Sequence, residues 1–174
     1  MTHTLPVPIL TLLLSLWVPP QLSGQFLTVE IEVPSEVNAT VESNLSFGSV
    51  VAGNGISRVE LGDMGMGVFG INGLTGQRLH FTLNLPERLT ATDPAITATI
   101  PIRMEAALVD FGVNDYRLAR PFTLPTEDVT IQPPPNAPGQ NWSSVFLYLY
   151  GEVEVGNIPN ATYSGEIVLD ILYD

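Results

Sequence analysis

A chain of 174 residues without a single cysteine excludes disulfides, thiolate metal centres and cysteine nucleophiles from the outset. Eighteen acidic residues stand against six arginines and no lysine, and the resulting formal charge of −12 repels phosphate backbones and excludes a nucleic-acid-binding surface. With 45% hydrophobic and only 14% charged residues, the chain is no disordered acidic tail, and its length suits one domain with a core of its own.

In chain order, the first feature is an apolar run at residues 7–18, broken by Pro19-Pro20 and followed by the small residues Ser23 and Gly24. It is too short to cross about 30 Å of hydrocarbon as a helix. It has the form of the apolar region of a secretory signal, although residues 1–4 carry no Lys or Arg. The expectation is a cleavable signal peptide over 1–24 and a single domain over 25–174. That implies export to the periplasm, cell surface or extracellular space, with no membrane span after cleavage.

Next comes Gln25-Phe26-Leu27-Thr28-Val29-Glu30-Ile31-Glu32-Val33, ended by Pro34. Leu27, Val29, Ile31 and Val33 share one face, because side chains alternate along a strand. Such a segment serves equally as a first strand of its own sheet or as an assembly strand entering a neighbour's open sheet. Further strands are expected at 45–51, 57–61, 66–71, 78–85, 96–109, 128–132, 144–155 and 163–173. Turn signals separate them at Gly53-Asn54-Gly55, Asn72-Gly73, Asp93-Pro94, Pro133-Pro134-Pro135-Asn136 and Gly156-Asn157. No window carries a helical period. The pattern predicts an all-β, antiparallel sandwich or barrel of about seven to nine strands. In the closing segment Ile167, Leu169, Ile171 and Tyr173 fall on one face, so the last residues are expected to pair into a sheet.

Catalytic and metal chemistry finds few parts. His80 is the one histidine after residue 24, and alternation sets it opposite Leu79, Phe81 and Leu83, on the wetter face. No Gly-x-Ser-x-Gly elbow accompanies it. Glu30 with Glu32, and Glu152 with Glu154, are same-face carboxylate pairs, which read as charged outer faces of amphipathic strands. Asp110, Asp115, Glu127 and Asp128 form a loose acidic group without a calcium-loop spacing. No catalytic residue, metal ligand or cofactor is assigned, and the chain is read as non-enzymatic. Four Asn-x-Ser/Thr sequons begin at Asn38, Asn44, Asn141 and Asn160 and read as turn content. Trp142, near Phe146, Tyr148 and Tyr150, is a candidate ligand contact on an aromatic platform, or simply an aromatic in a strand. Gly48, Gly70, Gly73, Gly76 and Gly151 flank strand-like runs, where glycine serves bulges and close backbone approach.

The succession Asn44-Leu45-Ser46-Phe47-Gly48, Gly70-Ile71-Asn72-Gly73-Leu74-Thr75-Gly76 and Leu79-His80-Phe81-Thr82-Leu83-Asn84-Leu85-Pro86 resembles the bacterial secreted domains called DUF4402. So does Tyr150-Gly151-Glu152-Val153-Glu154-Val155 followed by Thr162-Tyr163-Ser164-Gly165 and the apolar closing strand. The resemblance covers about residues 40–173 and implies an exported, immunoglobulin-like β-sandwich, similar in its closing strand to spore coat protein U and to pilin subunits. The chain departs from that pattern in its proline-rich 133–138 stretch, its lack of lysine, and Ala161 where usher pilins tend to carry glycine.

These readings converge on an exported structural or surface protein, a fimbrial-type subunit that assembles by β-strand addition with itself or other surface proteins. The alternative is a small glycan- or cell-wall-binding module using Trp142 and the 133–141 loop.

Overall fold

The computed structural model describes residues 37–173; the expected signal at 1–24 and the alternating segment 26–33 lie outside them. Eleven strands occur among the described residues: β1 Asn38–Ser43, β2 Gly55–Val59, β3 Gly67–Leu74, β4 Arg78–Asn84, β5 Arg88–Ala91, β6 Thr99–Val109, β7 Arg120–Pro121, β8 Thr126–Thr130, β9 Trp142–Val155, β10 Tyr163–Ser164 and β11 Val168–Tyr173. Every pairing is antiparallel. Eight strands form one sheet, with β1-β3-β9-β6-β5-β10 as its main path, while β11-β4-β8 form a second sheet of three. The fold is an all-β sandwich, as expected.

The fourteen residues of β9 form the axis. One edge pairs with β3 from Trp142 to Leu149 and then with β2 from Gly151 to Val155. The other edge pairs with β6 from Phe146 to Val153. Alternation then sorts the side chains. Val145, Leu147 and Leu149 face the smaller sheet, where they meet Leu79, Phe81, Leu83, Val129 and Ile131 in the main core. Phe146 and Tyr148 point to the opposite face, where Val59, Met66, Val68 and Val109 gather around Tyr148. The stretch after β6 lies over that face, with Phe111 and Ala119 packed into the cluster. The Tyr148 hydroxyl donates to Asn114 Oδ1 at 2.9 Å, so a buried phenol keeps a partner and the stretch is pinned. A 3-10 turn, Tyr116–Leu118, is capped there by the Asp115 carboxylate, which accepts from the Arg117 N–H at 3.1 Å.

Gly151 lets β6 and β9 close on each other. Its φ is +157°, and a Cβ there would collide with the Arg103 carbonyl and stand 2.9 Å from Met104 Cα.

Several expectations change. Residues 45–51 are not a strand: Gly48 adopts φ +65°, and Leu45, Phe47 and Val50 serve instead as loop residues packed on two core clusters. Asn72-Gly73 is no turn but part of β3, opposite Ser144 and Ser143. The chain reverses at Thr75-Gly76, with Gly76 at φ +85° and its N–H on the Ile131 carbonyl at 2.8 Å. Strands β1, β5 and β7 appear where none was expected, and 163–173 divides into β10 and β11. Eight of the nine expected strands fall within the described residues, and the count there rises to eleven because 45–51 is lost, three short strands are gained and 163–173 divides.

Replacing Leu147, fully buried in β9, with alanine is expected to lower unfolding stability in urea by about 2–5 kcal/mol. Burial, reinforced by the negative charges of Asp115 and Glu42, pushes the Tyr148 phenol up to about 12. In the unfolded chain that phenol ionises near 10, so the unfolded state sheds its proton first. Stability should therefore fall as pH rises from about 10 through about 12, and Tyr148→Phe should flatten this decline in pH-dependent melting.

Candidate functional site

The polar clusters are built of pairs that neutralise one another. His80 is exposed on β4, as alternation requires, and its Nδ1 lies 2.8 Å from Asp128 Oδ1, directly across on β8. Arg78 reaches the other oxygen of Asp128 at 2.6 Å. The hydrogen bond from His80, followed by that from Arg78, holds the Asp128 carboxyl below the usual aspartate range. Glu152 sits between Arg58 at 2.8 Å and Arg103 at 3.4 Å, whereas Glu154 is exposed on the same face. Asp110 and Glu127 both approach Arg120, and Asp115 pairs with Arg117. The hydrogen bond from the Arg117 side chain holds the Asp115 carboxyl low. The loose acidic group is thus divided among three arginines. Among the described residues, no three His, Cys, Asp or Glu side chains gather to hold a metal ion.

The aromatic group around Trp142 is dispersed into the fold. Trp142 is half-buried at the start of the central strand, opposite Leu74. On the same face, Tyr148 is fully buried and Phe146 is packed beside it. Burial, with Glu105 nearby, raises the Tyr150 phenol above its ordinary value. The 133–141 stretch is tied to the β3–β4 turn, since Thr75 donates its hydroxyl to the Gln140 carbonyl at 2.8 Å and its N–H to the Asn141 carbonyl at 2.9 Å.

The unsatisfied feature is apolar and lies along two edge strands. In β11, Leu169 opposes Leu83, Ile171 opposes Phe81 and Tyr173 opposes Leu79, so all three face the core. Yet Leu169 and Ile171 are only half-buried and Tyr173 is 50% exposed, while their β4 partners are fully enclosed. Ile167, just before the strand, is half-buried against the same core. In β1, Ala39 opposes Ile71 and Val41 opposes Phe69, which also puts them on the core-facing side. Both are nevertheless exposed, Val41 by 57%. The connections put these two edges on one side of the sandwich. Strand β7 pairs with β6 and leads into β8, and the Gln132 N–H after β8 returns to the Asp110 carbonyl at 2.7 Å. Strand β8 therefore lies on the β6 side, and β11, across β4, is turned toward β3 and β1. Among the described residues, no strand pairs with the second edge of β11. Among the described residues the result is an apolar seam beside a row of backbone groups without a strand partner, the arrangement that invites another strand.

The sequence reading located the closing strand and its core-facing side chains. It did not find the β1 half of the seam, for Asn38-Ala39-Thr40-Val41-Glu42-Ser43 has little apolar alternation to mark it. Leu27, Val29, Ile31 and Val33 lie outside the described residues. Comparison with protein-family models, curated proteins and solved structures finds no match to this chain.

Glu152→Gln removes the partner shared by Arg58 and Arg103. Because these arginines are largely exposed, the expected cost is small, about 0.2–1 kcal/mol in chemical denaturation at low salt, and it should shrink as salt is added.

Proposed function

We propose that this chain is an exported, non-enzymatic structural protein that assembles by β-strand addition, the apolar N-terminal segment of one copy pairing with the free edge of β11 in the next. The carrying observation is the seam: core-facing residues of β1 and β11 are exposed, and among the described residues no strand pairs with the edge of β11 turned away from β4. Leu27, Val29, Ile31 and Val33 supply one apolar face of strand length, and Pro34 ends the segment before β1 begins.

The magnitudes fit a reversible association. Four such side chains contribute about 6–12 kcal/mol gross at about 1.5–3 kcal/mol each. Association costs on the order of 4–15 kcal/mol. Backbone pairing adds about 0.5–1.5 kcal/mol net per hydrogen bond, which tips the balance toward binding. Copies carrying −12 repel one another, so salt strengthens the contact.

The test is the solution mass, by light scattering, of the chain from Gln25 across a concentration and salt series. The expected result is a mass that grows with both. Val29→Asp with Ile31→Asp on the donor side, and Val41→Asp on the acceptor side, should each give a folded monomer. Val41 is exposed, so its replacement leaves the core intact. A parent chain that stays monomeric, with the Val29→Asp/Ile31→Asp form melting much lower, would assign the segment to its own domain and sink the proposal.

A further inference from the structure

The smaller sheet does not reach the whole inner face of the larger one. Ile100, Ile102, Val153 and Val155 form a cluster of their own, and no strand of the three-stranded sheet belongs to it. The loop 45–52 and the segment 158–165, which includes β10, stand over this cluster instead, and between them lies a cavity of about 480 Å³. Phe47, Met104 and Tyr163 contribute to its walls. The loops are tethered: the Gly53 N–H bonds the Gly156 carbonyl at 2.8 Å and the Thr92 N–H bonds the Thr162 carbonyl at 2.9 Å. The Tyr163 hydroxyl is held by the Pro159 carbonyl at 3.0 Å. Its volume is that of a small-molecule pocket, typically about 300–1,000 Å³.

The lining is chemically selective. In a chain of net charge −12, none of the described residues that line this cavity is charged. The floor is aliphatic, and the polar side chains, Ser46, Ser49 and Thr162 among them, are exposed at the rim. Burying an ion against such a floor would leave it without a counter-charge. We infer that the cavity binds an uncharged, mostly apolar small molecule, its hydrocarbon body on Ile100, Ile102, Val153 and Val155 and a hydroxyl or carbonyl end at the hydroxyl-bearing rim. This site borders the strand-addition seam at Ile167 but does not depend on strand addition.

The test titrates the chain from Gln25 with the neutral fluorophore N-phenyl-1-naphthylamine. Binding should be saturable, at one probe per chain, and unchanged over a range of protein concentration. Ala161→Trp, which fills the cavity from an exposed rim position, and Val50→Lys, which brings a charge to its wall, should each weaken binding at least tenfold with unchanged circular dichroism. Leu172→Ala, on the solvent face of β11, should bind like the parent. An absence of saturable fluorescence would overturn the assignment. So would equal binding by both cavity variants, or a signal that appears only as the protein associates.

Discussion

Everything in this fold hangs on β9 being paired along both edges and buried on both faces. Its hydrogen bonds fix where β3, β2 and β6 lie, and its alternation sends Val145, Leu147 and Leu149 to one core and Tyr148 to another. A strand in that position needs apolar residues on both faces, and residues 145–149, Val-Phe-Leu-Tyr-Leu, supply them without interruption. Gly151 is the counterpart of that requirement, for beyond it the same strand changes partner on one edge while β6 stays in close approach on the other.

The unequal sheets follow from the same frame, and the functional proposals follow from the inequality. Eight strands present a wide inner face, and three strands can cover only part of it. Where β4, β8 and β11 lie, the core is closed. On the side of β1 and β11 the described residues leave it as a seam edged by backbone without a strand partner, and over Ile100, Ile102, Val153 and Val155 the 45–52 and 158–165 segments border a cavity. Exposed apolar surface next to a free strand edge is a hazard unless something occupies it, which is the physical basis for reading the seam as an assembly surface. The polar groups tell a different story. The described acids Asp115, Asp128 and Glu152 are each engaged by an arginine, and hydrogen bonds from Arg117 to Asp115, and from His80 and Arg78 to Asp128, hold those two carboxyls below the usual aspartate range.

Much of this was legible in the sequence where burial is one-sided or complete. In β4 the order Leu79, His80, Phe81, Thr82, Leu83 alternates so cleanly that inner and outer faces follow directly. The closing strand was legible because Leu169, Ile171 and Tyr173 hold the same spacing, although its outer face carries Val168 and Leu172. Strand β1 was not, because Ala39 and Val41 alone mark its core-facing side. The 45–51 stretch misled in the opposite direction: Leu45, Phe47 and Val50 are apolar because they roof a core, not because they lie in a sheet. Asn72-Gly73, a strong turn signal in isolation, was overridden because β3 must continue to Leu74 along β9, and Gly73 makes room for Ile131. The seam and the cavity depend on which strands become neighbours across long separations, and alternation along one strand carries no such information.

The most direct measurement is residue-by-residue amide hydrogen exchange in β11, at protein concentrations below and above the onset of association. The account predicts that, in the dilute monomer, the amides of 168–173 turned away from β4 exchange fast while those paired to β4 are protected, and that association protects the fast set as well. Uniform protection of both sets already in the monomer would contradict it, since the edge of β11 would then be occupied without any partner copy.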